Sequence, residues 1–366
     1  MAEWDAIVVG AGIAGCAVAE ALGREGFNVL LLEAERKVKI DTGIVSKEIE
    51  FLIDLPRKLI KKEIREIDFL SPSKYEIELV TENHFAYLLR AEEFRSYLRK
   101  RAKERAELRY ERVVEIILEK DRAVVCTESN EYPCRLVVGC DGAASIVREK
   151  LGIRRPNVFA SALCRTRNRR RKRITVYFNK IYSPHYFAWE VPFTNEVGLI
   201  CKYWIGQHLE SFVEMEGYKI TKVIYAPIAI GTTRSYADRC MLVGEACGQV
   251  KPLTGGGIVY SLTAARLAAS AAKKFLSGRR DALMSYEKRW KKILGFSILL
   301  QSLWMELYRK LSNRELDRIF RLFEGCYEFE KIRYDNPFSL VTKLPKRKLM
   351  RTFPLVLPLV FTKSYF

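Results

Sequence analysis

The sequence predicts an α/β protein, elaborated toward α+β, and three observations carry that prediction. The stretch "DAIVVGAGIAGCAVAEALGREGFNVLLLEAER" reads as strand, glycine turn, small-residue helix and strand, the βαβ unit of a parallel sheet. Two later segments, "RLVVGCDGAASIVREKLGI" and "DRCMLVGEACGQVKPLTGGGIVYSL", also run from buried strand through glycine turn to helix. Between them, alternating strands are expected from Ile174 to about Trp204, and the chain reads as helical from Ser277 onward.

Each element has a local reason. Residues 6–9 and 29–32 are short apolar runs of buried-strand length, and Ala14, Ala17 to Ala19, Ala21 and Leu22 lie between them at helical spacing. Residues 64–80 read as short strands. "RAEEFRSYLRKRAKERA" is an amphipathic helix, with Phe94, Tyr97, Leu98 and Ala102 on one face. "RVVEIILEKDRAVVCTES" reads as a hairpin turning near Asp121. The run from Arg165 to Arg173 is strongly basic.

Composition narrows the functional classes. With 366 residues and 49% hydrophobic content, the chain has ample material for a packed core, which excludes wholesale disorder. The formal charge of +19, from 63 Lys and Arg against 44 Asp and Glu, favours an anionic partner: nucleic acid, an anionic membrane surface or a phosphorylated substrate. Nine cysteines without a CxxC pair argue against a disulfide framework and a zinc site, and fit a reducing cytoplasm. A strand-like run starts at Ala6, so no secretory leader is expected, and no stretch reaches the roughly 20 apolar residues of a membrane span. The expected protein is soluble and cytoplasmic, or peripheral on the inner face of the cell membrane.

The chemistry starts at Gly10, Gly12 and Gly15, a G-x-G-x-x-G turn between strand and helix. Gly10 permits the tight turn, Gly12 the approach of a pyrophosphate, and Gly15 close packing of helix on sheet. The helix N-terminus offers N–H groups to phosphate. Glu33, 18 residues beyond Gly15, is placed to accept from a ribose hydroxyl. Its charge disfavours a 2′-phosphate, which leaves FAD or NAD rather than NADP.

The later motifs choose between them. Asp141-Gly142 and Gly244-Glu245 end two strands, and Gly255 to Gly257 precede a small-residue helix. Together with the first turn, these segments resemble the FAD fold of the p-hydroxybenzoate hydroxylase type. "LVGEACGQVKPLTGGGIVYSL" is similar to the signature of the geranylgeranyl reductase family, which includes digeranylgeranylglycerophospholipid reductases. The likeness runs from about Asp5 to Leu276. It implies a Rossmann-like FAD-binding domain (residues 1–155 and 225–276), an inserted antiparallel substrate sheet (156–224) and a helical C-terminal region (277–366). It implies FAD contacts at Gly10, Gly12, Ala14, Gly15, Glu33, Gly43, Arg90, Val114, Asp141, Glu245, Gly256, Gly257 and Ile258. Pro252 to Gly257 fit a loop that stabilises negative charge on reduced flavin.

Two departures stand out. Glu245 replaces the aspartate usual in the family, and the cysteine that many relatives carry near Ile40 or Asp41 is missing. "PHYFAWEVP" resembles a family motif of the form YxWxFP that lines the substrate cavity. Phe187 takes the tyrosine place, while Trp189 and Pro192 match. From pattern alone the same stretch reads equally well as a strand with aromatic core residues.

The resemblance implies saturation of geranylgeranyl double bonds by hydride from reduced flavin, and the charge, without pyrophosphate-specific motifs, favours isoprenoid chains already carried by archaeal-type ether glycerophospholipids. No second G-x-G-x-x-G provides a separate nicotinamide domain, so electrons are expected from ferredoxin or from NAD(P)H bound transiently. No proton donor stands out: His84, His185 and His208 form no motif, and no metal site is expected. The alternatives are an FAD monooxygenase on the same fold and a basic nucleic-acid module. The arginine run contains no interleaved aromatics, so a solvated loop is its default reading. At the C-terminal end, "KLPKRKLMR" with "FPLVLPLVF" suits either an anionic membrane surface or a tail docked on the protein.

Overall fold

A computed structural model describes residues 4–38, 41–330, 332, 343, 345–348 and 350. The strand Trp4–Val9 lies inside the first sheet because it is apolar on both faces: Ala6, Ile7 and Val8 are fully buried. It pairs in parallel with Val29–Leu32 on one side and Glu131–Gly139 on the other, setting Val8 opposite Leu31 and Val138. Glu107–Arg109 and Cys240–Leu242 extend the parallel sheet at its two sides. The hairpin Val113–Leu118 and Ala123–Thr127 adds to Glu131–Gly139 in antiparallel register.

Helices Ile13–Arg24 and Ile258–Leu276 share a core over one face of this sheet. Both helices give small buried residues to it, among them Ala19, Ala264 and Ala268, which let backbones pack closely. Helix Ala91–Lys103 adds Phe94, Leu98 and Ala102 to the same core, with Tyr97 half-buried beside them.

The second sheet runs in the order Ile220–Ile230, Asn157–Thr166, Glu196–Cys201, Ala188–Val191, Ile174–Tyr177, Glu66–Leu70, Glu76–Thr81, Gly325–Phe329. It is antiparallel except where Ile174–Tyr177 meets Glu66–Leu70 and where Glu76–Thr81 meets Gly325–Phe329. Its strands are therefore not confined to 156–224: residues 66–81 and 325–329 join from either side of that segment. A third, three-stranded sheet combines Ile44–Ser46, Ala86–Leu89 and Ile60–Ile64.

After the shared core come helices Ala282–Trp290, Phe296–Lys310 and Asn313–Phe323, with a π turn at Lys291–Gly295 between the first two. The last helix opens on a capping box from Ser312 to Glu315. The expectation of a purely helical region from 277 needs correction, because Gly325–Phe329 is a strand. Its glycine and aromatics suit the open edge that Glu76–Thr81 offers. Most of the basic and apolar C-terminal stretch lies outside the described residues, as does Ile40.

Three cations of the arginine run are paired with the protein's own acids. Arg171 pairs with Glu76 and with Asp68 at 3.5 Å. Arg173 pairs with Glu66 at 2.7 Å, with Asp68 at 3.4 Å and with Glu78. Arg165 pairs with Glu196 at 3.3 Å. Burial still raises the Asp68 carboxyl, against the lowering effect of Arg173 and Arg171. These three arginines hold a strand face and leave less charge for a polyanion.

The tightest backbone contact is at the first turn. A Cβ on Gly15 would stand 1.8 Å from the Gly10 carbonyl oxygen, and Gly10 itself has φ +98°. Gly15→Ala is therefore expected to cost at least the 1–3 kcal/mol typical of overpacking, read as a lower urea midpoint. An unchanged midpoint would show that helix and turn separate freely.

Candidate active site

One cavity of about 1520 Å³ lies between the first and second sheets. That exceeds the roughly 300–1,000 Å³ of a small-molecule site. Its first half is built on the glycine turn, where Gly10, Gly12 and Ala14 line it while Gly15 sits behind, packed under Gly10. A Cβ on Gly12 would meet no protein atom within 4 Å. The notch at Gly12 is therefore not required by the protein's own packing; it is open to a ligand. Helix Ile13–Arg24 has no side-chain cap, so its first N–H groups are left for that ligand.

Glu33 lines the same end. One carboxylate oxygen accepts from Ala11 N–H at 2.8 Å and the other from Glu35 N–H at 3.1 Å, which ties the acid to the turn it serves. Arg99 stands 3.7 Å away and Arg95 pairs with Asp41; both arginines line the cavity. Gly43, with φ +71°, donates its N–H to Asp41 at 2.9 Å. Val114 lines the cavity on the hairpin side.

Asp141 stands in the middle. Its Oδ2 accepts from Val147 N–H at 3.1 Å, whereas its Oδ1 is buried with no hydrogen-bond partner. Burial raises this carboxyl, outweighing the donors at the start of the following helix. A buried oxygen without a partner, on a residue that lines a cavity, calls for a donor such as a ligand hydroxyl. Behind it, the buried Arg148 donates to Ala143 O at 2.9 Å and to Ala246 O at 2.8 Å. It clamps the Asp141 loop to the Glu245 loop, and burial lowers its affinity for its proton.

Glu245 lines the cavity and its Oε1 accepts from Ala229 N–H at 3.1 Å. The longer acid thus reaches the second sheet, a use for the extra methylene that the sequence left unexplained.

The second half starts at the glycine loop. Gly255 N–H donates to Lys251 O at 2.9 Å and Lys251 N–H to Gly256 O at 3.0 Å, so the loop closes on itself. Gly256, Gly257 and Ile258 line the cavity, and helix Ile258–Leu276 starts there without a side-chain cap. Two uncapped helix N-termini thus open on one cavity. Past the loop the wall is apolar. Phe187 and Trp189 line it, with Ile67, Phe69, Leu79, Val176 and Phe320 opposite or beyond. The Trp189 indole lies across Gly198 of the next strand, where a Cβ would stand 2.4 Å from its ring. Tyr186 lines this half as well; its hydroxyl is buried without a hydrogen-bond partner, as is Trp189 Nε1. Burial raises the Tyr186 phenol.

The expected cofactor residues Gly10, Gly12, Ala14, Glu33, Gly43, Val114, Asp141, Glu245, Gly256, Gly257 and Ile258 all line this cavity. Arg90 does not: its side chain is half-exposed and lies 3.9 Å from Glu93. Arg95 and Arg99, one and two turns further along the helix, take the cavity side instead. Sequence reasoning also missed Tyr186 and the helix Asn313–Phe323. The helix had a readable signal: Leu316, Ile319, Phe320 and Phe323 recur at i, i+3, i+4 and i+7, and all four line the cavity.

The fold and the double-ended cavity define a flavin-type oxidoreductase. Residues 5–125 match the family described as FAD dependent oxidoreductase. The chain is 28% identical over 309 residues to a geranylgeranyl diphosphate reductase of Rhodobacter capsulatus, covering 76% of this chain and 78% of that one. It is 26% identical over 350 residues to a digeranylgeranylglycerophospholipid reductase of Methanocaldococcus jannaschii, covering 86% and 89%. A solved geranylgeranyl bacteriochlorophyll reductase-like protein of Thermoplasma acidophilum shares the fold with TM-score 0.82 at 18% identity, over 97% of this chain and 99% of that one. A p-nitrophenol 4-monooxygenase of Pseudomonas putida superposes less well, with TM-score 0.70 at 16% identity over 95% and 97%. The likeness to geranylgeranyl reductases carried by the motifs is thus borne out by relatives that match 76% and 86% of the chain, and the matched family gives FAD as the cofactor.

Two expectations follow. Gly12→Ala should keep the wild-type melting temperature, because no protein atom meets the new methyl, yet weaken FAD binding at least tenfold in a fluorescence titration; unchanged affinity would mean that the notch is not the pyrophosphate seat. Near the apolar half, burial and the nearby Arg309 lower Lys180 to about 7 and His185 to about 4. Both bind fewer protons folded than unfolded, so each adds stability as pH rises, His185 between about 4 and 6.5 and Lys180 between about 7 and 10.5. Lys180→Met should flatten the upper part of the curve of melting temperature against pH; a variant curve parallel to wild type would refute that assignment.

Proposed function

We propose that this chain is an FAD-dependent reductase that saturates isoprenoid double bonds of the geranylgeranyl type, on chains carried by ether glycerophospholipids. The observation that carries the reading is the continuous cavity, polar and glycine-built at one end and apolar at the other. The relatives named above are reductases of geranylgeranyl diphosphate and of digeranylgeranylglycerophospholipid, which supports the choice of substrate.

The residues fit the cofactor. Gly10 to Ala14 would hold the pyrophosphate, with Gly15 packed behind them, Glu33 a ribose hydroxyl, Asp141 Oδ1 a hydroxyl of the linker, and Pro252 to Gly257 the ring end. When bound and reduced, FAD supplies a hydride. The uncapped N–H groups before Ile258 favour negative charge at the ring end without having to reorganise. Phe187, Trp189 and the facing aliphatic side chains orient an apolar chain and exclude water. Reduction of an alkene also consumes a proton. We assign that proton to Tyr186, a lining residue whose hydroxyl has no hydrogen-bond partner in the protein, and whose raised affinity keeps it protonated throughout the neutral range. Electrons enter from a carrier such as ferredoxin or from NAD(P)H. The +19 charge suits peripheral work at an anionic membrane surface on the cytoplasmic side, and no nucleic-acid partner is proposed because the arginine run has no interleaved aromatics.

The test is direct. The purified flavoprotein is reduced without oxygen and given an unsaturated ether lipid, and the lipid gains two hydrogens for each bond saturated, read by mass spectrometry. Flavin that stays reduced over an unchanged lipid would sink the proposal; oxygen uptake coupled to a hydroxylated product would replace it with the monooxygenase reading. Tyr186→Phe should lower kcat by about 10²-fold with FAD affinity retained. Wild-type turnover in that variant would assign the proton to water.

A further inference from the structure

Helix Phe296–Lys310 and the π turn before it break the usual rule for a surface helix. Their inward stripe is ordinary: Leu294, Ile298, Gln301 and Met305 are buried, and Gln301 is hydrogen-bonded to Tyr260 and Ser297. The outward stripe should be polar. Instead Ile293 is 55% exposed, Phe296 73%, Leu299 59%, Leu303 53% and Trp304 41%. Five large apolar side chains over about three turns make a contiguous patch of the kind that marks an interaction surface. At one end of the patch stand the exposed cations Lys288, Arg289, Lys291 and Lys292. At the other, Trp304 belongs to both surfaces: it is exposed, and it lines the apolar half of the cavity with Met305, Leu307 and Tyr308.

We propose that this face is a docking surface for an anionic lipid bilayer, with the helix lying in the interface and the cavity opening beside Trp304 into the acyl layer. Three features choose this occupant. The apolar stripe with cations at its end is the pattern of an in-plane interfacial helix. The cations complement an anionic leaflet. The alternative cover, residues 331–366, carries eight Lys and Arg against one Asp, and so has the same sign as the flank it would have to meet. Continuity with the cavity adds a reason for the arrangement, since a chain entering past Trp304 never crosses water. That last point rests on the lipid-reductase reading; the surface itself does not.

The test uses the full-length holoprotein in vesicle flotation, with phosphatidylglycerol or phosphatidylcholine vesicles. Strong, salt-weakened binding to phosphatidylglycerol vesicles is expected, with little binding to phosphatidylcholine. Phe296→Asp with Leu303→Asp should cut the bound fraction at least tenfold while melting temperature and FAD content stay at wild-type values. Lys288→Glu with Lys292→Glu, at exposed positions outside the core, should cut it on phosphatidylglycerol alone. Wild-type binding in both double variants overturns the proposal and moves docking elsewhere, residues 331–366 included. A wild-type protein that floats with neither vesicle, and whose dimer falls apart on the Asp substitutions, overturns it in favour of a second copy. Turnover on detergent-dispersed lipid keeps the two readings separable: variants that lose vesicle binding but keep that turnover support the surface, and absent turnover in every form counts against the reductase alone.

Discussion

The contact between Gly15 and the Gly10 carbonyl governs the arrangement of everything that faces the cavity. No side chain can stand there, so helix Ile13–Arg24 seats directly on the end of the central strand. That seating fixes where its free N–H groups point. It also fixes the surface on which helix Ile258–Leu276 packs, through alanines on both sides. The second helix in turn carries the glycine loop at its own N-terminus. A missing methyl at Gly15 thereby sets the spacing between the two ends of the ligand site. The clamp through Arg148 and the reach of Glu245 to Ala229 then join the loops at those ends to one another and to the second sheet.

Charge is handled differently in the two halves. Around the turn, carboxylates are held by backbone N–H groups or left facing the cavity, as at Glu33 and Asp141. In the second sheet, Arg171 and Arg173 neutralise Glu66, Asp68, Glu76 and Glu78 on the strands they cross. The paired arginines serve the fold, so the net positive balance of the chain is carried by other residues. Some of that balance stands at the exposed end of the helix Ala282–Trp290 and in the π turn that follows it.

Much of the first sheet was legible in the sequence because its signals are local. A strand, a glycine turn and a helix within about 30 residues leave few other folds open, and the DG and GE turns repeat the pattern. The second sheet was only half legible. Its pairing of Ile174–Tyr177 with Glu66–Leu70 joins segments over a hundred residues apart, and no local spacing encodes that choice. The strand Gly325–Phe329 escaped for the same reason. At the site, Arg90 was named by its motif, while the fold turned Arg95 and Arg99 toward the cavity, because the helix phase relative to the sheet is set by Phe94, Leu98 and Ala102. Tyr186 was hidden by its neighbour. It precedes the strand Ala188–Val191, so strand alternation does not govern it, and both it and Phe187 face inward.

Gly198 gives the apolar half a consequence of its own. The indole of Trp189 rests where a side chain from the neighbouring strand would otherwise project. The width of the cavity beside Trp189 thus depends on an atom that is absent from the far side of its wall. A larger residue at Gly198 would press the indole toward the apolar half of the cavity, which Trp189 lines. Gly198 does not itself line the cavity, and a Cβ there would also stand 2.5 Å from the Ala162 carbonyl oxygen, so the strand pairing and the indole together hold this point at its width.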